Sequence, residues 1–216
     1  AIRELNGAVL DGKKITVMTR FLSVNNLLKI MILIIMICLS SAISAQIKWE
    51  REYRIKEQEV PDIARNYLTA LSITDKIKWF REESTDEISL EAKTRMRNRP
   101  ISLEFNLDGS LMDAELQIHQ TDIPDKTRTA IDTYLKTRFE KHRIMRVQLQ
   151  YSGDPEAVKT MLLQGTVQDG LVQKFEIEVR GRSSKNLELW EFLFSLEGKP
   201  EKESRIVLRN PDTLTY

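Results

Sequence analysis

Val60-Pro61-Asp62-Ile63-Ala64-Arg65 returns further along the chain as Ile123-Pro124-Asp125-Lys126-Thr127-Arg128. In the same order, Phe105-Asn106-Leu107-Asp108-Gly109 returns as Phe194-Ser195-Leu196-Glu197-Gly198. The first motif opens a helix: proline presets the first helical dihedral, and the N–H it lacks has no intrahelical partner at that position. The second is a hairpin turn, because glycine accepts positive φ without steric cost. Repetition of both in one order predicts two copies of a helix packed on an antiparallel β-meander, an α+β fold. The copies are assigned to residues 46–119 and 120–216. The turn motifs lie farther apart than the helix motifs, so the second copy holds extra residues, placed at 152–174.

Periodicity fills in the first copy. Trp49, Tyr53 and Ile55 lie at intervals that fit a strand or a packed arm. Ile63, Ala64, Tyr67, Leu68 and Leu71 recur at helical spacing. From Ile77 and Trp79 the period changes to two, continuing through Ile88, Leu90 and Ala92, then Ile101, Leu103, Phe105 and Leu107. Alternation of this kind marks strands with one buried face and one wet face. Leu111 to Ile118 supplies the strand returning from the Asp108-Gly109 turn.

In the second copy a longer helical stripe runs through Thr127, Ala130, Ile131, Tyr134, Leu135 and Phe139, followed by a strand through Met145, Val147, Leu149 and Tyr151. Asp154-Pro155-Glu156 reads as a capped helix start. Met161 to Gln173 reads equally as a hairpin about Asp169-Gly170, and periodicity does not separate the two. Phe175, Ile177 and Val179 form a strand, Leu187 to Leu196 another, and Ile206 to Leu208 the last.

The 216 residues carry a formal charge of +1. Residues 1–45 hold five basic and two acidic side chains, which leaves 28 bases and 30 acids in residues 46–216. That mixed balance has no electrostatic footprint for nucleic acid. Arg20 and Lys29, the apolar run Ile30–Leu39 and the small residues Ser40 to Ala45 make the three parts of a secretory signal peptide, assigned to residues 18–45. The run is shorter than the ~20 residues of a spanning helix, so the membrane enters only through export. Cleavage falls after Ala45 or after Ser44. Cys38, the one cysteine, lies in the apolar run, so the exported chain has no thiol chemistry.

Candidate chemistry is sparse. His119 and His142, the two histidines, lack neighbours at metal-ligand spacing. Asn106, Asp108 and Asp113 do not fit a calcium loop, because Gly109 is misplaced for one. No catalytic, metal or cofactor signature occurs, and the expected answer is a protein that is not an enzyme. Glu82 to Glu87 reads as an exposed acidic loop. Arg95, Arg97 and Arg99 form a basic loop with a reading as a partner-recognition patch. Trp190, Phe192 and Phe194 share one face of a strand whose other face carries Leu189 and Leu193. Such a strand is either covered on both sides or presents one face to a partner.

Two resemblances follow from these residues. Ala1 to Val17, with Leu10-Asp11-Gly12 as its turn, is similar to the C-terminal tail of an RNA recognition motif and reads as extraneous to the rest. Residues 58–208, with the leader, the paired Pro-Asp helix starts, the Trp79 strand and the acid-Gly turns, resemble the PepSY-like periplasmic proteins of the β-lactamase-inhibitor-like fold. That resemblance implies an exported, periplasmic or secreted, non-catalytic module that binds or inhibits an envelope or extracellular protein. A structural envelope component is the alternative, followed by a hydrolase working through paired carboxylates.

Overall fold

A computed structural model describes residues 9–10, 13–14, 46–85, 87–183 and 186–208. The signal-peptide assignment falls outside the described residues. The chain divides into two units, Ala1–Ala42 and Ile43–Tyr216. In the first, Val9–Leu10 pairs antiparallel with Lys13–Lys14.

Among the described residues the second unit contains nine strands, β1 Gln46–Ile55, β2 Lys78–Ser84, β3 Ile88–Met96, β4 Arg99–Phe105, β5 Leu111–Gln117, β6 Lys141–Gly153, β7 Leu171–Ser183, β8 Asn186–Phe194 and β9 Pro200–Leu208. Three α-helices accompany them, α1 Asp62–Ala70, α2 Asp125–Arg138 and α3 Pro155–Gln164. Sequential strands pair antiparallel from β1 to β9. The sheet then closes, because β9 pairs β1 in parallel from Ser204↔Gln46 to Leu208↔Glu50. The strands of both sequence halves therefore belong to one barrel, which removes the exposed edges that two separate meanders would leave. Among the described residues, no helix is long and apolar enough to cross a membrane.

The helices cover the outer face, in two apolar patches. Ala64, Leu68 and Leu71 of the α1 segment pack on Trp79, Leu90, Leu103 and Phe105, and Val158 and Leu162 of α3 join them. Ile131 and Leu135 of α2 pack on Val147, Ile177, Phe192 and Phe194. Ile63, expected in the apolar stripe of α1, is exposed.

The two motifs quoted at the outset meet each other. A Cβ on Gly109 (φ +89°) would lie 2.9 Å from Pro61 Cβ, and one on Gly198 (φ +83°) 2.8 Å from the Thr127 carbonyl oxygen. Each turn glycine thus lets its hairpin lie directly against a helix start. Thr127 Oγ1 donates to the Leu196 carbonyl at 2.8 Å, closing the second of these contacts.

Residues 152–174 form the capped helix and not the hairpin about Asp169-Gly170: Met161 to Gln164 make the last turn of α3, and the strand at that turn is β7, which follows it. Asp154 Oδ1 accepts from the backbone N–H groups of Glu156 and Ala157, each at 2.9 Å, and starts α3. Gly165 ends the helix at φ +72°, and Gly170 at φ +85° turns the chain into β7.

Candidate functional site

Closure gives the polar face of the sheet an inside. All nine strands line a cavity of about 370 Å³, in which ten carboxylates face three cations, Lys93, Arg146 and Lys202. Of the expected exposed acidic loop, Glu87 is exposed in the turn, whereas Glu82 lies on β2 and is half-buried; both border the cavity. Alternation places these side chains opposite the apolar core, and closure turns that face inward, burying Glu91 and Glu176 while Glu52 and Glu87 stay exposed.

The lining is a connected polar network. Lys93 Nζ lies 2.7 Å from Glu52 Oε2 and 3.0 Å from Glu91 Oε2. Ser89 Oγ donates to Glu104 Oε1 at 2.6 Å. Glu115 accepts from Gln148 Nε2 at 2.9 Å, Ser102 Oγ at 3.3 Å and Gln150 Nε2 at 3.4 Å. Glu176 also hydrogen-bonds Glu115. Burial pushes the Glu176 carboxyl well above the usual carboxylate range, and the charges of Glu115 and Glu191 push it further. Burial likewise raises Glu91, to about 7, against the opposing pull of Lys93.

Ser102, Gln148 and Gln150 tie Glu115 of β5 to β4 and β6.

Of the residues singled out from sequence, Trp190, Phe192 and Phe194 lie beneath α2, at 6%, 0% and 0% exposure. Placing them on a contact surface is corrected: rings stacked on one another and met edge-on by Tyr134 and Phe139 are core. Leu193, on the opposite face, lines the cavity. Arg95, Arg97 and Arg99 are exposed at the β3–β4 hairpin. Arg97 and Asn98 both take positive φ, 48° and 66°, as a two-residue hairpin turn of this hand requires. Arg95 Nη2 donates to the Asn98 carbonyl at 2.5 Å, Arg97 Nη2 donates to the Leu163 carbonyl at the end of α3, and Arg99 lies 3.8 Å from Asp122.

Neither histidine stands at a metal site among the described residues. The His119 backbone N–H donates to Asp122 Oδ2 at 3.0 Å, as that of Lys56 does to Glu59 at 2.8 Å, each in the short 3₁₀ turn before a Pro-Asp helix start. His142 Nε2 lies 3.4 Å from Asp132. Asp108 accepts from the backbone and hydroxyl of Ser110 in its turn, whereas Asp113 lines the cavity.

No protein-family model matches the chain, and neither does any curated protein. Three solved structures are similar to it. A protein assigned to the periplasm of Bacteroides eggerthii matches at 14% identity and TM-score 0.46, over 68% of this chain and 88% of its own. A DUF2874 family protein of Bacteroides ovatus matches at 11% identity and TM-score 0.45, over 68% and 87%. A BLIP-like protein of Bacteroides fragilis matches at 14% identity and TM-score 0.44, over 72% and 92%.

Proposed function

We propose that this chain is an exported, non-catalytic protein-binding or inhibitory module of the cell envelope, periplasmic or secreted. Its two helix-and-strand copies are read as a duplicated PepSY-like unit. The observation that carries the binding role is the β3–β4 hairpin: three exposed arginines on a turn whose backbone and guanidinium groups are already tied down. Arginine is enriched among the residues that dominate interfaces, and a loop held before binding loses little freedom when a partner docks. The leader residues Arg20, Lys29 and Ile30–Leu39 support export.

Crosslinking mass spectrometry in intact cells tests this reading. The expected outcome is one recurrent envelope protein crosslinked to this chain and lost in the Arg95→Glu/Arg97→Glu variant. Crosslinks only between copies of the chain would assign it to structure instead.

A further inference from the structure

A second basic surface lies where β6 begins and β7 ends. Register sets Lys141 opposite Arg182 and Arg143 opposite Arg180. All four are exposed and, with His142 and Leu187, line a recess of about 360 Å³. Like charges directly opposite on a sheet repel. Among the described residues none of the four pairs with a carboxylate, although Arg146 on the same strand pairs with Glu178. His142 is directed to Asp132 of α2. Two uncompensated cation pairs in adjacent rows are costly to the fold and suited to an anion.

The spacing selects the kind of anion. Lys141 and Arg143, like Arg180 and Arg182, are two residues apart along their strands, about 6.6 Å. An extended peptide presents same-face side chains at that repeat, so carboxylates at alternate positions reach both cation pairs. Arginine's planar fork takes a carboxylate through two parallel hydrogen bonds. Leu187, opposite Arg182 on β8 and 64% exposed, offers an apolar rest for a neighbouring side chain.

We propose that this rim binds an extended acidic segment of a partner protein, with carboxylates at alternate positions. The proposal rests on the protein-binding reading and adds the chemistry of the partner. The test uses the full chain and a labelled decapeptide of repeating Glu-Thr ending in Leu, with a Lys-Thr counterpart, read by fluorescence anisotropy. Expected is saturable, salt-sensitive binding of the acidic peptide alone. Arg180→Glu/Arg182→Glu weakens it at least tenfold, while Lys126→Glu/Lys199→Glu, an equal charge change elsewhere, stays within twofold. If the Glu variant does not fold by circular dichroism, Arg180→Gln/Arg182→Gln replaces it, with a loss of at least threefold expected.

Equal losses from the rim and control variants would overturn the proposal. So would rim-dependent binding to phosphatidylglycerol vesicles without peptide binding. A crosslinked envelope partner retained at full yield by the Arg180→Glu/Arg182→Glu variant sinks this proposal and leaves the binding module standing. Peptide binding with no partner in cells does the reverse.

Discussion

The two apolar patches on the outside of the barrel begin alike and are finished differently. Each has a helix entered through a Pro-Asp start, an Asp–Arg pair in its first turn (Asp62–Arg65, Asp125–Arg128), and a hairpin glycine against that start. The first patch is then covered by two short helices, the nine-residue α1 and the ten-residue α3, around Trp79, Phe105 and Tyr67. The second is covered by the fourteen-residue α2 alone, over a stack of Trp190, Phe192 and Phe194. A sheet face of given area can be dried by more helix or by larger rings, since both remove apolar surface from water. A buried carboxylate reinforces the second solution: Glu203 accepts from Arg138 Nε at 2.9 Å, Arg138 Nη2 at 3.0 Å and Tyr134 Oη at 3.2 Å, with the guanidinium over Trp190. The helix that completes the first patch comes from the second half of the sequence. Tyr67 Oη donates to the Pro155 carbonyl at 2.8 Å and ties α1 to α3.

If rings compensate for the missing helix, Phe192 is the weak point of the molecule. Phe192→Ala should cost about 4–5 kcal/mol by urea unfolding, against about 3–4 for Phe105→Ala. Both rings are fully buried, but Phe192 meets four other aromatic rings and Phe105 two. A larger cost at Phe105 would reverse the comparison.

The interior shared by both halves gives the next effect. Folded Glu91 keeps its proton up to about pH 7, whereas the unfolded side chain releases it near 4.5. Between those values the folded state binds more protons, so stability falls as pH rises through the interval. Glu176, also raised, acts in the same direction. Glu91 alone accounts for roughly 3 kcal/mol. Glu91→Gln should flatten a plot of unfolding free energy against pH, and an unchanged slope would remove Glu91 as the cause.

Gly109→Ala and Gly198→Ala test whether the two helix starts are alike in energy as well as geometry. Each should cost about 2–3 kcal/mol, from positive φ and from the close approach to Pro61 or to Thr127. A cost under half a kcal/mol at one site alone would show that its hairpin can move away. The smallest effect is at Asp154. Asp154→Ala removes the α3 cap for about 1 kcal/mol. Hydrogen exchange should then quicken around α3 and α1 while α2 stays protected. Uniform quickening would mean that the two patches unfold as one.

Most elements were legible because their signals are local. Pro61 and Pro124, the Asp108-Gly109 turn and the alternation in Phe175, Ile177 and Val179 each depend on a few neighbouring residues. The alternation runs on to Leu107, yet Leu107 lies in the turn, and Met145 is exposed because β6 bulges between Ile144 and Arg146. The candidate site was less legible. Lys174, Glu176, Glu178, Arg180 and Arg182 all alternate with the apolar face of β7, and that pattern is identical for a wet outer surface and an enclosed one. The opposition of Lys141 to Arg182 needed a register between strands far apart in the chain.

The sequence by itself determined the helix starts, the hairpin turns and the division of each strand into an apolar and a polar face, because these rest on dihedral preference and period. Only the tertiary structure decided that β9 closes onto β1, that α3 serves the first patch, and that Glu91 and Glu176 end up buried. Closure depends on pairing between the two ends of the described sheet, and no local residue pattern encodes a partner that distant.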